Sequence, residues 1–263
     1  MLERCAKRPG WKTQKRAMKQ YPFPDKGSYR LMQMDHPDIP VRILTAVRDS
    51  RWLWDTMGPI YNERIFDAIG ELYNDVVRNL HVSGPARILD AGAGRGYISL
   101  MLAANNPQAM ITGIDYSSMQ VRAAKKFLAQ RKIINCAFFT DNVMNLRFQD
   151  TLFDAAVSIG SIKHWPDGPR GLKEIHRVLK PGGQLVVSET DREVSDEALW
   201  KFIRRFRVWF IPNRLLFWGL RHVIFGQSYS ERTLKACVEQ AGFRDIECRR
   251  VADCPYVIVS AKR

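Results

Sequence analysis

Apolar residues recur at three- and four-residue intervals from about Ser50 to Leu80, at Trp54, Ile60, Tyr61, Ile65, Ile69, Leu72, Val76 and Leu80. That period predicts helix, divided in two at Gly58-Pro59. Short apolar runs at Arg87–Asp90, Met110–Asp115, Ala137–Thr140, Phe153–Ile159 and Gln184–Glu189 then predict five strands. Helical stretches near Tyr97–Asn105, Ser117–Gln130 and Gly171–Leu179 lie among them. Strands alternating with helices imply a mostly parallel sheet covered on both faces. Ser117-Ser118 can cap the second of these helices, and Lys180-Pro181-Gly182-Gly183 stops the next. The alternation lapses after Glu189 for about forty residues, then resumes with a helix Ser230–Ala241 and strands Asp245–Val251 and Tyr256–Lys262. Only Ala252-Asp253-Cys254-Pro255 separates those two strands, which is short enough for an antiparallel hairpin. The expected fold class is α/β, with seven strands, helices on both faces and a helical insert after the fifth strand.

The insert, residues 191 to 228, has its own pattern. Ser195 followed by Asp196 and Glu197 starts a helix well, and Pro212 should end it. At about 100° per residue, Phe202, Ile203, Phe206, Trp209 and Phe210 share one side while Lys201, Arg204 and Arg205 gather on the other. Two alternatives stand: the apolar side packs on the domain, or it lines a pocket while the cationic side faces anionic lipid headgroups.

Charge changes the picture outside the strand region. The chain of 263 residues carries 41 Lys+Arg against 27 Asp+Glu, a net +14. Nine of those cations, against two acids, fall within residues 1 to 30, and Pro9, Pro22, Pro24, Pro37 and Pro40 punctuate the tract. Residues 1–45 therefore read as a basic arm. The early cations precede no apolar segment of the kind a secretory signal needs, and a cytoplasmic protein is expected. Five cysteines without a C-x-x-C pair point to reduced thiols and no structural metal.

The turn after the first strand reads Ile88-Leu89-Asp90-Ala91-Gly92-Ala93-Gly94-Arg95-Gly96. A G-x-G-x-x-G dinucleotide loop would need its third glycine at position 97, which is Tyr97. The spacing D-x-G-x-G-x-G instead resembles the first motif of class I S-adenosylmethionine-dependent methyltransferases, whose fold is Rossmann-like. Without Cβ atoms, backbone can lie against a ribose and a methionine moiety, and amides at the helix N-terminus face a carboxylate. By this resemblance Asp90 receives the methionine ammonium, directly or through water, over Gly92, Gly94 and Gly96. Asp115 takes the ribose hydroxyls, Tyr116 and Met119 flank the adenine, and Asp141 accepts its 6-amino group. The next backbone amide meets the ring at Asn142, where the family commonly has a smaller residue. The methyl should project near Gly160, at the end of the fourth strand. Glu174 to Gly183 looks like the stretch before the fifth strand in ubiquinone/menaquinone C-methyltransferases and other small-molecule methyltransferases. The resemblance runs from about Ala86 to Glu189 and, less specifically, through the hairpin. It divides a single domain, 46–263, into N-terminal helices (46–83), cofactor core (84–190), lid insert (191–228) and closing helix with hairpin (229–263).

Methyl transfer is an in-line displacement in which alignment supplies much of the acceleration, so a general base is optional. His164, directly after the fourth strand, is the catalytic candidate, with a role in shaping the loop as the alternative. His176, among Leu172, Ile175 and Leu179, reads as structural, and His222 and Tyr229 are weaker acceptor contacts. The expected acceptor is an apolar or amphiphilic small molecule such as a quinone, polyketide, sterol or phospholipid headgroup, with an anionic membrane surface as a candidate partner. A nucleic-acid methyltransferase using the basic arm is the alternative. Against it, the fourth strand ends Ser158-Ile159-Gly160-Ser161 and not in a D/N-P-P-Y/F/W motif. A non-catalytic protein on the same fold is disfavoured by the intact Asp90, glycine and Asp115 set.

Overall fold

The structure, a computed structural model, describes residues 44, 46, 69–206, 211–251 and 254–263. Most of the arm (1–45), the Gly58-Pro59 break, Trp209, Phe210 and two residues of the closing loop lie outside that set.

Ile69, Leu72 and Val76 are buried on one side of a helix, α1 (69–79), as their spacing predicts, and Leu80 is buried just beyond its end. Strands β1 (Arg87–Ala91), β2 (Met110–Asp115), β3 (Cys136–Thr140), β4 (Phe153–Ile159), β5 (Leu179–Thr190), β6 (Arg244–Arg250) and β7 (Tyr256–Lys262) form one sheet. Its order is β3-β2-β1-β4-β5-β7-β6. The first five strands are mutually parallel, whereas β7 runs antiparallel to both β5 and β6. The predicted hairpin is present, with its second strand inserted between β5 and β6.

Alternate side chains of the central strands enter two separate cores. Ile88, Val186 and Ile258 join α1 and the helices α2 (Tyr97–Asn105) and α3 (Ser118–Arg131) on one face. Leu89, Val187 and Val257 join α4 (Gly168–Val178) and α7 (Glu231–Gln240) on the other. This is the doubly covered parallel sheet expected from strands that are apolar throughout.

Helix starts follow side-chain chemistry. Ser117 Oγ accepts from the Gln120 amide at 3.3 Å to cap α3, and Ser230 with Thr233 forms a capping box on α7. Helix α4 begins three residues before the expected Gly171, because Asp167 caps it through the Arg170 amide at 3.0 Å and Pro169 occupies the first turn. Strand β5 also starts earlier than expected. The chain leaves α4 directly into extended backbone, with Leu179 paired to Phe153, and an irregularity separates that pair from Ala155↔Gln184.

The segment after β5 is helical, as expected: α5 (Asp196–Phe206), α6 (Asn213–Gly219) and a π-helical run Leu220–Phe225. Its base is closed by a bridge between Asp191 and Tyr229, with the Arg192 amide donating to the Tyr229 carbonyl at 2.9 Å. Of the apolar side predicted for α5, Phe202 and Ile203 are buried in the domain core with Leu199, and Phe202 meets Phe225 edge-on. These two side chains are therefore packing, the first of the two alternatives, while the side chains of Phe206, Trp209 and Phe210 lie outside the described residues. Lys201, Arg204 and Arg205 are exposed on the opposite side.

The burial of this face makes a stability prediction. Phe202→Ala should lower unfolding free energy by about 3–5 kcal/mol through lost burial and the cavity left behind. Arg204→Ala, on the exposed side of the same helix, should stay within about 0.5 kcal/mol in the same urea titration.

Candidate cofactor and acceptor site

The sheet order reverses between β1 and β4, so the crevice at their C-terminal ends is where an open α/β sheet takes ligands. Two buried contacts set its width. Ser158 Oγ, in β4, donates to the Ala91 carbonyl at 2.8 Å. A Cβ on Gly92 would lie 1.9 Å from Ser161 Oγ, so the turn after β1 passes against the turn after β4 with no room for a side chain. Gly96, at φ 82°, faces the Phe138 ring in the same way, at 2.3 Å. Gly94 has open space on its side-chain side, which leaves backbone accessible to a ligand.

The acids come together around this loop. Asp90, at the end of β1, is 1 % exposed. Its Oδ2 accepts from Ser99 Oγ at 2.5 Å, while Oδ1 has no hydrogen-bond partner. Burial, with a smaller contribution from the nearby Asp115 charge, pushes the Asp90 carboxyl up to about 7, against the Ser99 hydrogen bonds that pull it down. Asp115 closes β2. Its two oxygens accept from the amides of Gly94 at 2.9 Å and Ser117 at 2.8 Å, which hold the carboxylate at the mouth of the glycine loop. Tyr116 and Met119 are exposed just beyond it, and Met119 Sδ accepts from Arg122 at 2.8 Å.

Asp141 follows β3 and is nearly buried, but its carboxylate already has protein partners. Oδ1 accepts from the Asn142 amide at 2.8 Å and from Arg147 Nε at 3.1 Å. The amide expected to meet an adenine ring is thus turned onto Asp141 itself, and Asn142 uses its side-chain oxygen to accept from the Met144 amide at 2.9 Å. Oδ2 accepts a longer contact, 3.4 Å, from the Arg147 amide.

At the end of β4, Gly160 adopts φ 63° and leads into a short 3-10 turn, Ile162–His164. His164 is half-buried there, its amide bonded to the Ser161 carbonyl at 2.9 Å. Sequence reasoning missed its neighbour. Lys163 Nζ lies 2.6 Å from Glu189 Oε1 and 2.8 Å from the Gly160 carbonyl, with the side chains of Lys163 and Glu189 2 % and 0 % exposed. Burial raises the Glu189 carboxyl, but the Lys163 ammonium and its hydrogen bond, the Thr190 amide and, last, His164 together hold it below the usual carboxylate range. A lone acid ending the apolar run Leu185-Val186-Val187-Ser188 was the available signal. Among the other candidates, His176 packs edge-on against Phe243 at 5.0 Å, Tyr229 is buried against Gly168, and His222 is exposed beside Trp218.

The site fits S-adenosylmethionine on its own chemistry. A buried carboxyl with one unpartnered oxygen lacks a cation, and the methionine ammonium would supply one to Asp90. Asp115, held by two amides at the mouth of the glycine loop, would face ribose hydroxyls beside the open side of Gly94. Among the described residues no group of His, Cys, Asp and Glu is arranged to hold a metal ion, and no helix is long and apolar enough to cross a membrane.

Comparison with known proteins agrees with this reading. A family described as a methyltransferase domain matches residues 83–228. A demethylmenaquinone methyltransferase of Lactiplantibacillus plantarum is 28% identical, over 75% of this chain and 89% of its own. Among solved structures, a (4+2)-cyclase superposes with a TM-score of 0.64 at 21% identity, covering 81% of this chain and 94% of that one. A SAM-dependent methyltransferase from Aquifex aeolicus gives 0.54 at 18%, covering 72% and 88%. At such identities the structures speak for the fold alone.

Asp90 makes a pH prediction for the cofactor-free protein. Its folded-state pKa is raised, so the proton it keeps contributes stability that is fully present below the ordinary carboxylate value near 4 and is lost as pH rises through about 7. Urea unfolding across that window should show wild type losing up to about 1.4 kcal/mol per pH unit relative to Asp90→Asn. Parallel pH profiles for the two proteins would refute the assignment.

Proposed function

The chain belongs to the methyltransferase domain family, and from that premise we propose that it moves a methyl group from S-adenosylmethionine to a small lipophilic acceptor, quinone-like in kind. The observation that carries the cofactor part is the acid pair at the ends of β1 and β2, Asp90 with its unpartnered oxygen and Asp115 held by the Gly94 and Ser117 amides. The acceptor part is supported by the name of the demethylmenaquinone relative and by the helical cover that α5 and α6 add after β5. An acceptor of this kind partitions into lipid, so the enzyme meets it at a membrane surface.

When bound, the cofactor supplies an electrophilic methyl on a positively charged sulfur. The chain's residues do the rest by placement. Asp90 neutralises the ammonium end, and Asp115 fixes the ribose. The Gly160–His164 turn sits beside the crevice with no Cβ at Gly160 to intrude, so an acceptor can approach in line. His164 takes the proton that the acceptor's nucleophilic oxygen or carbon gives up as the new bond forms. Lys163 and Glu189 keep that turn in one position from beneath: the ammonium ties the end of β4, through the Gly160 carbonyl, to the end of β5.

A second reading, methylation of RNA, is favoured only by the charge of the basic arm, which lies outside the described residues.

Two variants test the scheme. Asp115→Ala should weaken S-adenosylmethionine binding on the order of 100-fold by calorimetry, the scale of two hydrogen bonds to a charged group. His164→Ala should leave that affinity unchanged and lower kcat toward a demethylmenaquinone analogue about 100- to 10,000-fold. Wild-type turnover in His164→Ala would remove the base from the mechanism. Absence of methyl transfer to any quinone or phenol, with cofactor binding intact, would remove the acceptor class.

A further inference from the structure

Two contacts fix how α5 lies beside α6 and the π-helical run that continues it. Trp200 stacks on Phe217 with ring centroids 4.6 Å apart and planes 14° from parallel, and Arg221 Nη2 lies 3.2 Å from Asp196 Oδ1. The partner number falls on one strand of this pairing as it rises on the other, so the two helical segments run antiparallel. In an antiparallel pair of right-handed helices, the residue one step after each contact turns to the same side of the pair. Lys201 follows Trp200, and Trp218 follows Phe217. Arg204 and Arg205 lie one turn beyond Lys201, and Arg214 and Leu215 lie one turn before Trp218, on that same side.

All six of these residues are exposed, Leu215 by 61% and Trp218 by 40%. The acid of this side on α5 is Glu197, which pairs with Lys201 at 3.2 Å. The apolar side of α5 is meanwhile consumed by the core, so these outward residues are not its leftover packing surface. The result is a ledge with an aromatic and an aliphatic side chain at its centre and a cationic row along it.

We propose that this ledge rests on an anionic lipid bilayer surface, with Trp218 and Leu215 entering the headgroup layer and Lys201, Arg204, Arg205 and Arg214 set against lipid phosphates. The complement is specific in chemistry. Tryptophan favours the membrane interface, and each Lys or Arg near a negative surface adds attraction. A cationic row alone would suit RNA equally, but an aliphatic side chain held in water beside the tryptophan suits hydrocarbon. The proposal rests on the lipophilic-acceptor reading for its purpose, since the ledge belongs to the same helical cover as the acceptor side. Its physical basis is the surface itself.

Flotation of the full chain with phosphatidylcholine vesicles, with and without phosphatidylglycerol, tests it. Wild type should float only with the anionic vesicles. Arg204→Gln/Arg205→Gln/Arg214→Gln should lower partition on the order of 100-fold, the effect of about 1 kcal/mol from each of three cations. Leu215→Ser/Trp218→Ser should lower it as well, while S-adenosylmethionine affinity and turnover of a detergent-dispersed acceptor stay at wild-type levels. Wild-type partition in both variants, which would place binding on the arm, overturns the proposal. So does equal flotation with neutral vesicles, or RNA binding lost in the triple variant while vesicles are ignored. Vesicle binding that behaves as expected, without turnover of any lipophilic acceptor, would instead overturn the acceptor reading and leave the ledge standing.

Discussion

The site depends on how closely β1 and β4 are joined at their C-terminal ends. Their parallel register, Ile88↔Ala155 through Asp90↔Val157, brings the two following turns into contact, and the Ser158 hydroxyl pins the β1 carbonyl at Ala91. At that distance Gly92 has no space for a side chain against Ser161. The proposed cofactor site follows from that closeness. The end of β1 and its turn present Asp90 and the open backbone of Gly94, and the turn after β4 presents Gly160 and His164, across one narrow crevice. A wider join would separate the proposed bed of the cofactor from the group proposed to take the acceptor's proton.

Two carboxylates near the ends of β1 and β5, on either side of β4, show how environment divides roles between like groups. Glu189 is as buried as Asp90, yet stays ionised because Lys163 sits 2.6 Å away and backbone donors complete its shell. Asp90 has a serine hydroxyl on one oxygen and nothing on the other, and it keeps a proton near neutrality. The complete pair is built to hold a loop still. The incomplete one is the carboxyl proposed to receive the ammonium of the cofactor, because a buried acid with an unpartnered oxygen favours a ligand that brings a positive charge.

The local parts of this arrangement could be read directly from residues. Alternating apolar periods placed the strands and the helices between them, and the spacing Asp90, Gly92, Gly94, Gly96 with Asp115 singled out the crevice, because strand, turn and helix there are contiguous in the chain. What escaped depends on register between distant segments. That Ser161 meets Gly92, that Phe138 lies on Gly96, that Arg147 occupies Asp141 and that Lys163 reaches Glu189 are facts of the folded sheet. The wheel of α5 correctly grouped Phe202 and Ile203 opposite Lys201, Arg204 and Arg205, but a wheel says which residues share a face and nothing of what covers it. Helix α6 was hidden because only seven residues, Asn213–Gly219, form it before the chain passes into a π-helical run.

Strand β7 comes after every other described element in the chain, yet it lies inside the sheet, paired with β5 through Gln184↔Lys262 to Thr190↔Tyr256. Its Tyr256 and Ile258 also belong to the core that receives Leu199, Phe202 and Phe225 from the helices after β5. During synthesis, therefore, the five parallel strands are made before the strand that completes their cores, and the helices after β5 lack this floor until it arrives. Both cores, and with them the cover after β5, are completed by a strand made after every other described element.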